Sequence, residues 1–105
     1  MKLIEIVEAR EPLQKLVEQE LPLRVAYRLL KVTEEIKLHL HFYYGELIKL
    51  GEYPDPEKLK ELKEMEITDL HHARLRVPIM DGIVLSADEM KMLEPFIEFY
   101  EEGEG

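Results

Sequence analysis

The stretch from Leu21 to Leu50 constrains the fold more than any other part of the chain. Apolar residues recur there in alternating steps of three and four, a spacing that puts side chains on one side of an α-helix. No other segment keeps this spacing for so long. The pattern predicts one helix from about Pro22 to Leu50, roughly 40 Å long. The residues that form this apolar stripe are Ala26, Leu29, Thr33, Ile36, Leu40, Tyr43, Leu47 and Leu50.

The two halves of the predicted helix differ on the side opposite this stripe. In the first half that side is basic, whereas in the second half it carries Leu38, Phe42 and Gly45. Since a helix that is apolar all round is a buried one, we expect the chain's own hairpin and last helix to cover one side. A partner, such as a second copy of the chain, then covers the stripe. The predicted interface residues are Ala26, Leu29, Ile36, Leu40, Tyr43 and Leu47.

The segment before the long helix contains two shorter elements. Ile4 and Ile6 alternate as in a strand, which favours a short N-terminal strand, although Leu3, Ile4 and Val7 also fit a helical face. Pro12 is typical of the first turn of a helix, and that helix is expected to end near Gln19. Gly51 is placed to cap the C-terminus of the long helix.

The segment after the long helix predicts two further helices and a hairpin. Asp55-Pro56-Glu57 is a helix start. The alternating residues 74–79 and the apolar residues 83–85 flank Asp81-Gly82, a pair typical of a hairpin turn. A capping box at residues 86–89 begins a last helix that reaches Tyr100.

Together these elements predict a mainly α (α+β) fold in a single domain of residues 1–105. Its parts are a short N-terminal strand, one long central helix, two or three shorter helices and a small β-hairpin.

Composition excludes several classes of protein. The chain has 14 basic and 23 acidic residues and a formal charge of -9, which disfavours broad binding to nucleic acid. The absence of cysteine excludes disulfides and cysteine nucleophiles. No secretory signal and no apolar run of about 20 residues is present, so we expect a cytoplasmic protein, in the host cytoplasm if phage-encoded. The lack of asparagine and the abundance of Glu and Lys are typical of thermophile proteins.

The four histidines do not have the spacing of metal ligands. His39 and His41 fall on opposing sides of a helix, and His71 and His72 are immediate neighbours. We therefore expect no metal. One alternative stays open if the loop after the third helix folds over the long helix, and its residues are Glu35, His39, Asp69 and His72.

The sequence shows no catalytic signature, so we expect no catalytic residue and no cofactor. Ser86 is the single serine, and its capping position explains it. Glu34 and Glu35 lie beside Lys31, which favours a salt bridge over acid–base chemistry. An enzyme would need a site built from residues far apart in the sequence.

A basic patch on the first half of the long helix is the main nucleic-acid candidate. Its residues are Arg24, Arg28 and Lys31, accompanied by Tyr27, and Arg74 with Arg76 could extend it. The alternative is an ion-paired surface helix near Glu18 and Glu20. The converse hypothesis is that the acidic surface imitates a phosphate backbone and occupies a nucleic-acid-binding protein.

Five short motifs are spread over most of the chain. They are Glu20-Leu21-Pro22, Ala26-Tyr27-x-Leu-x-Lys31, Glu66-Ile67, Leu85-Ser86-x-x-Glu89 and Leu93-Glu94-Pro95-Phe96-Ile97. Together they resemble a family of small phage and prophage proteins of unknown function. The resemblance implies a phage or mobile-element origin and a role in particle assembly or in modulating a host protein, and it transfers no catalytic residues.

The sequence therefore predicts a non-enzymatic interaction protein that acts through its long amphipathic helix. It would serve in phage particle assembly or as a homo-oligomeric accessory. The alternative is an acidic regulator that binds a host nucleic-acid-processing enzyme.

Overall fold

The computed structural model describes residues 1–68 and 74–101 of the chain. This part is mainly helical, as predicted, and it also contains a small parallel sheet. Because one helix runs along the long axis, the molecule is elongated and measures 50 × 26 × 22 Å. The elements are α1 (Leu3–Val17), α2 (Leu23–Leu50), α3 (Pro56–Glu64), β1 (Leu75–Ile79), α4 (Ala87–Leu93) and β2 (Ile97–Glu101).

The long helix α2 and its neighbour α3 agree with the sequence-based prediction. Gly51 ends α2 at a positive φ of 80°, a conformation that glycine adopts without steric cost, and its N–H donates to the Ile48 carbonyl at 3.2 Å. Asp55 caps α3 by accepting a hydrogen bond from the Glu57 N–H at 3.0 Å. Both helix boundaries are therefore set by local signals.

The predicted N-terminal strand is wrong, because residues 3–7 form the first turns of α1. This helix continues through Pro12, which is buried, whereas the prediction placed Pro12 in the first turn of a shorter helix. A run of six residues fits both periods, and tertiary packing decides in favour of the helix. The buried face of α1 consists of Leu3, Ile6, Ala9, Pro12, Leu13 and Leu16.

The predicted hairpin is also wrong, because the strand partner of β1 comes from the end of the chain. β1 pairs with β2 in parallel, with Leu75 opposite Ile97 and Val77 opposite Phe99. The expected turn at residues 81–82 forms, with Gly82 at a φ of 96°, but residues 83–86 that follow it make no strand. A parallel pair needs a crossover, and α4 supplies it.

The expectation that the last helix reaches Tyr100 is wrong as well. α4 ends at Leu93, and Pro95 follows two residues later, where its ring disfavours further helix. The apolar residues after Pro95 then form β2, in which Ile97 is buried and Phe99 is half-buried. Their mixture of β-branched and aromatic side chains suits a strand.

The predicted capping box at the start of α4 is confirmed. The Glu89 N–H donates to the Ser86 Oγ at 3.1 Å, and the Ser86 N–H donates to a Glu89 carboxylate oxygen at 2.8 Å. Lys15 of α1 donates to the same carboxylate at 2.9 Å. The Ser86 N–H and then Lys15 hold the pKa of Glu89 below its ordinary value. The cap thereby also attaches α4 to α1.

The hydrophobic core surrounds α1. This helix packs against α2, α3 and α4, and α2 in turn packs against β1. Leu93, Phe96 and Ile97 extend the same core beneath the sheet. In the described part of the chain, no helix combines the length and apolarity that crossing a membrane requires.

Candidate interaction surfaces

The inner face of α2 carries the six residues that were predicted to contact a partner. Leu29, Ile36 and Tyr43 have exposed fractions of only 0%, 2% and 5%, and they belong to the core cluster that includes α1. Ala26, Leu40 and Leu47 are half-buried. The expectation that a partner covers this stripe is therefore wrong, because α1 has a complete apolar face of its own and the two faces cover each other.

In the part of the chain that the structure describes, the outer face of α2 is exposed and largely apolar. Leu38 is 71% exposed and Ile48 is 81% exposed, although both are large aliphatic side chains. The prediction placed the hairpin and the last helix over this side, but the sheet and α4 lie elsewhere. We define the outer stripe as the exposed apolar residues Tyr27, Leu30, Leu38, Phe42 and Ile48 together with Glu34, His41 and Gly45, which lie between them.

Gly45 lies within the outer stripe, and the described fold offers no packing reason for a glycine there. A Cβ built at this position meets no atom within 4 Å. Glycine inside a helix costs about 1 kcal/mol relative to alanine. The missing side chain is thus unused within the folded chain, and it would let a second backbone approach closely.

Charge is also distributed unevenly between α2 and the remainder of the chain. α2 contains five basic and three acidic residues, whereas the whole chain has a net charge of -9. All of the excess negative charge therefore lies outside α2. Within the outer stripe, Glu34 accepts a hydrogen bond from Lys37 at 3.1 Å, in a pair exposed on both sides.

A second surface lies beside α2, where the helix meets β1. A cavity of about 430 Å³ opens between them. It contains two of the three residues of the predicted basic patch and both arginines that were expected to extend it. We call it the cationic cleft. Its lining residues are Arg28, Lys31, Val32, Glu35, Arg74, Leu75 and Arg76.

Most of the cationic side chains in the cleft contact uncharged groups, namely a backbone carbonyl or an aromatic ring. Arg74 donates to the Ile97 carbonyl at 3.0 Å. Lys31 lies 5.3 Å from the Tyr27 ring centroid. In residues 1–68 and 74–101, Arg28 makes no ion pair, and neither Glu18 nor Glu20 pairs with the patch.

The last two arginines named by the sequence differ from each other. Arg76 lies 4.4 Å from the Tyr100 ring centroid and 3.7 Å from the Glu98 carboxylate, in an exposed pair. Arg24 is exposed on the first turn of α2 and does not line the cleft.

The sequence missed the apolar residues of the cleft. Val32 and Leu75 are buried and come from different elements. Only the packing of β1 against α2 brings them together, so no local pattern could identify them.

Metal binding has no support in the part of the chain described. Residues 1–68 and 74–101 contain no group of three or more His, Asp or Glu side chains arranged to hold an ion. The composite site left open by the sequence depends on Asp69 and His72, which lie outside the described residues.

Comparison with known proteins gave no match among protein families, curated protein sequences or solved structures. The resemblance to phage proteins therefore stays a prediction.

Proposed function

We propose that the chain is a non-enzymatic interaction protein that pairs with a second copy of itself through the outer stripe of α2. The supporting observation is the row of exposed apolar side chains along a helix whose other face the chain itself covers. Contiguous apolar surface of this kind is typical of protein interaction sites. Twofold pairing is the commonest form of self-association in soluble proteins.

The order of residues in the outer stripe favours an antiparallel pair. With the twofold axis between Lys37 and Leu38, Glu34 lies opposite His41 of the second copy. In the same register Leu30 meets the second copy's Gly45, so that a large residue faces a small one. A carboxylate facing an imidazole that can donate a hydrogen bond and a large residue facing a small one thus coincide at one register, and the two faces of a twofold interface complement themselves.

A parallel pair would lack this complementarity. Each residue would then face its own copy, so Glu34 would meet Glu34 and two carboxylates would repel each other.

The biological setting remains the one that the resemblance implies. We propose that the dimer acts as an accessory in phage particle assembly. A second candidate, an acidic regulator of a host nucleic-acid-processing enzyme, is favoured by the confinement of the excess negative charge to the surface outside α2.

The mass in solution tests self-association. Light scattering during size exclusion should give twice the chain mass for the natural sequence and a monomer for Leu38→Glu combined with Ile48→Glu, because dimerisation would have to remove the added carboxylates from water. The control is Val84→Glu, which places one such charge on an exposed apolar residue away from α2. A monomer at roughly 100 μM, a concentration that detects dissociation constants well above 1 μM, would contradict the proposal.

Cysteine cross-linking tests the direction of pairing, because the natural chain has no cysteine. Leu38→Cys lies next to the proposed axis and should form a disulfide between copies under mild oxidation. Tyr27→Cys should not, since antiparallel pairing puts its two copies at opposite ends of the helix pair. Efficient cross-linking of Tyr27→Cys would indicate a parallel pair instead.

A further inference from the structure

The cationic cleft lies outside the outer stripe, so self-association leaves it unexplained. Its α2 residues are Arg28, Lys31, Val32 and Glu35, which face the sheet side of the helix. We propose that this cleft binds a phosphorylated small molecule of about mononucleotide size, with the phosphates on the arginines and a planar or apolar body on the cleft floor.

The charge of the cleft supports an anionic ligand. Four cations converge there in a chain whose net charge is -9. Against them stand Glu35, which is part of the lining, and Glu98, which lies 3.7 Å from Arg76. Bringing like charges together is costly unless an anion relieves their repulsion, and Arg28 has no ion pair within the described residues.

The chemistry of the lining fits a phosphate ester. Guanidinium groups match phosphate oxygens through paired hydrogen bonds, and Arg28 and Arg76 approach the cavity from α2 and from β1. Val32 and Leu75, whose side chains are largely buried, line the same cavity and form its apolar floor. This floor would contact a base or another flat apolar group, which inorganic phosphate lacks.

The dimensions of the cleft favour a small molecule over a nucleic acid. Its volume of about 430 Å³ falls within the range of small-ligand pockets, about 300–1,000 Å³. A polymer would extend beyond the cleft, and outside α2 the surface carries the chain's excess negative charge, which would repel its phosphates.

Calorimetric titration of the full chain with ADP, inorganic pyrophosphate and a short single-stranded oligonucleotide tests the proposal. ADP should bind at least ~10-fold more tightly than pyrophosphate, because only ADP contacts the floor, and this ratio corresponds to about 1.4 kcal/mol. Equal affinities would indicate an adventitious ion only. Tighter binding of the oligonucleotide than of ADP would overturn the proposal in favour of a nucleic-acid site.

Variants connect the binding to the cleft. Arg28→Gln and Arg76→Gln should each weaken ADP binding ~10-fold or more, through the loss of a charged hydrogen-bond donor. Lys58→Gln removes the same charge from the exposed surface of α3 and should have no effect. Arg74 is left unchanged, because its bond to the Ile97 carbonyl supports the sheet.

The same titration distinguishes the two proposals. The variant with Leu38→Glu and Ile48→Glu should keep its ADP affinity even as a monomer, because neither residue lines the cleft. Unchanged ADP binding by Arg28→Gln and Arg76→Gln, or no binding of ADP at concentrations of about 1 mM, would overturn the ligand proposal and leave self-association unaffected.

Discussion

The inner and outer faces of α2 are both apolar, yet they have opposite surroundings. Leu29 on the inner face is fully buried against the core, whereas Leu38 on the outer face is 71% exposed. An apolar stripe in the sequence therefore indicates that a helix face must be covered, but it does not indicate which element covers it. Here α1 covers one face, and we propose that a second copy covers the other.

Truncating one leucine on each face of α2 should change the free energy of unfolding by very different amounts. Leu29→Ala should lower the free energy of unfolding by about 2–5 kcal/mol, because it leaves a cavity in the core. Leu38→Ala makes the same chemical change on the outer face and should alter it by no more than about 0.5 kcal/mol. Urea denaturation of dilute protein, followed by circular dichroism, measures both. Equal losses would contradict the assignment of the faces.

The second test enlarges a buried side chain of α1, whereas the first test shortens one in α2. Ala9 of α1 is fully buried, so Ala9→Leu should destabilise the fold by about 1–3 kcal/mol through overpacking. Glu11→Leu, at an exposed position of α1, is the control and should remain within about 0.5 kcal/mol. If Ala9→Leu left the free energy of unfolding unchanged, α1 would not be closely packed in the core.

Gly45→Ala should act in opposite directions on the monomer and on the dimer. A Cβ at this position meets no described atom within 4 Å, so the monomer should gain about 0.5–1 kcal/mol of helix stability. The dimer should weaken, because the methyl group occupies space that we assign to Leu30 of the second copy. Thermal denaturation of dilute protein and sedimentation equilibrium measure the two effects. A variant that is both more stable and more strongly associated would exclude the close approach at Gly45.

Deprotonation of the buried Tyr43 should lower the stability of the fold slightly at alkaline pH. Burial and then the neighbouring Tyr44 raise the pKa of Tyr43 above its ordinary value of 10.0. The folded state therefore retains a proton that the unfolded state releases, and the resulting stability is present below pH 10.0 and is lost as the pH rises towards the folded-state pKa. Tyr43→Phe should flatten this part of the stability profile, whereas Tyr53→Phe, at a highly exposed position, should not.

Local signals in the sequence predicted three helix ends, namely the C-terminus of α2 and the N-termini of α3 and α4. Gly51, Asp55 and Ser86 act through their own backbone neighbours, and each occupies the predicted cap. The sequence also indicated Arg28 and Lys31 as part of a basic surface, and the structure places both in one cleft with Arg74 and Arg76.

Choices that depend on distant residues were not predictable in this way. Asp81-Gly82 forms its turn, but a hairpin would also require the residues after the turn to pair with β1. In the structure β2 pairs with β1 instead. Ile4 and Ile6 fit a strand and a helix equally over six residues, and packing of α1 in the core decides between them. Which elements pack against each face of α2 likewise depends on contacts between residues far apart in the sequence.

The parallel pairing of β1 with β2 has a consequence for the order of folding. Leu75 obtains its partner only when Ile97 has been synthesised and α4 has folded between them. The hydrogen bonds within α1, α2 and α3 can form earlier, because contacts close in sequence form faster. Until β2 pairs with it, β1 is an unpaired strand. Arg76 and Pro78 within β1 then protect against aggregation, because a charge and a missing N–H both disfavour pairing with another chain.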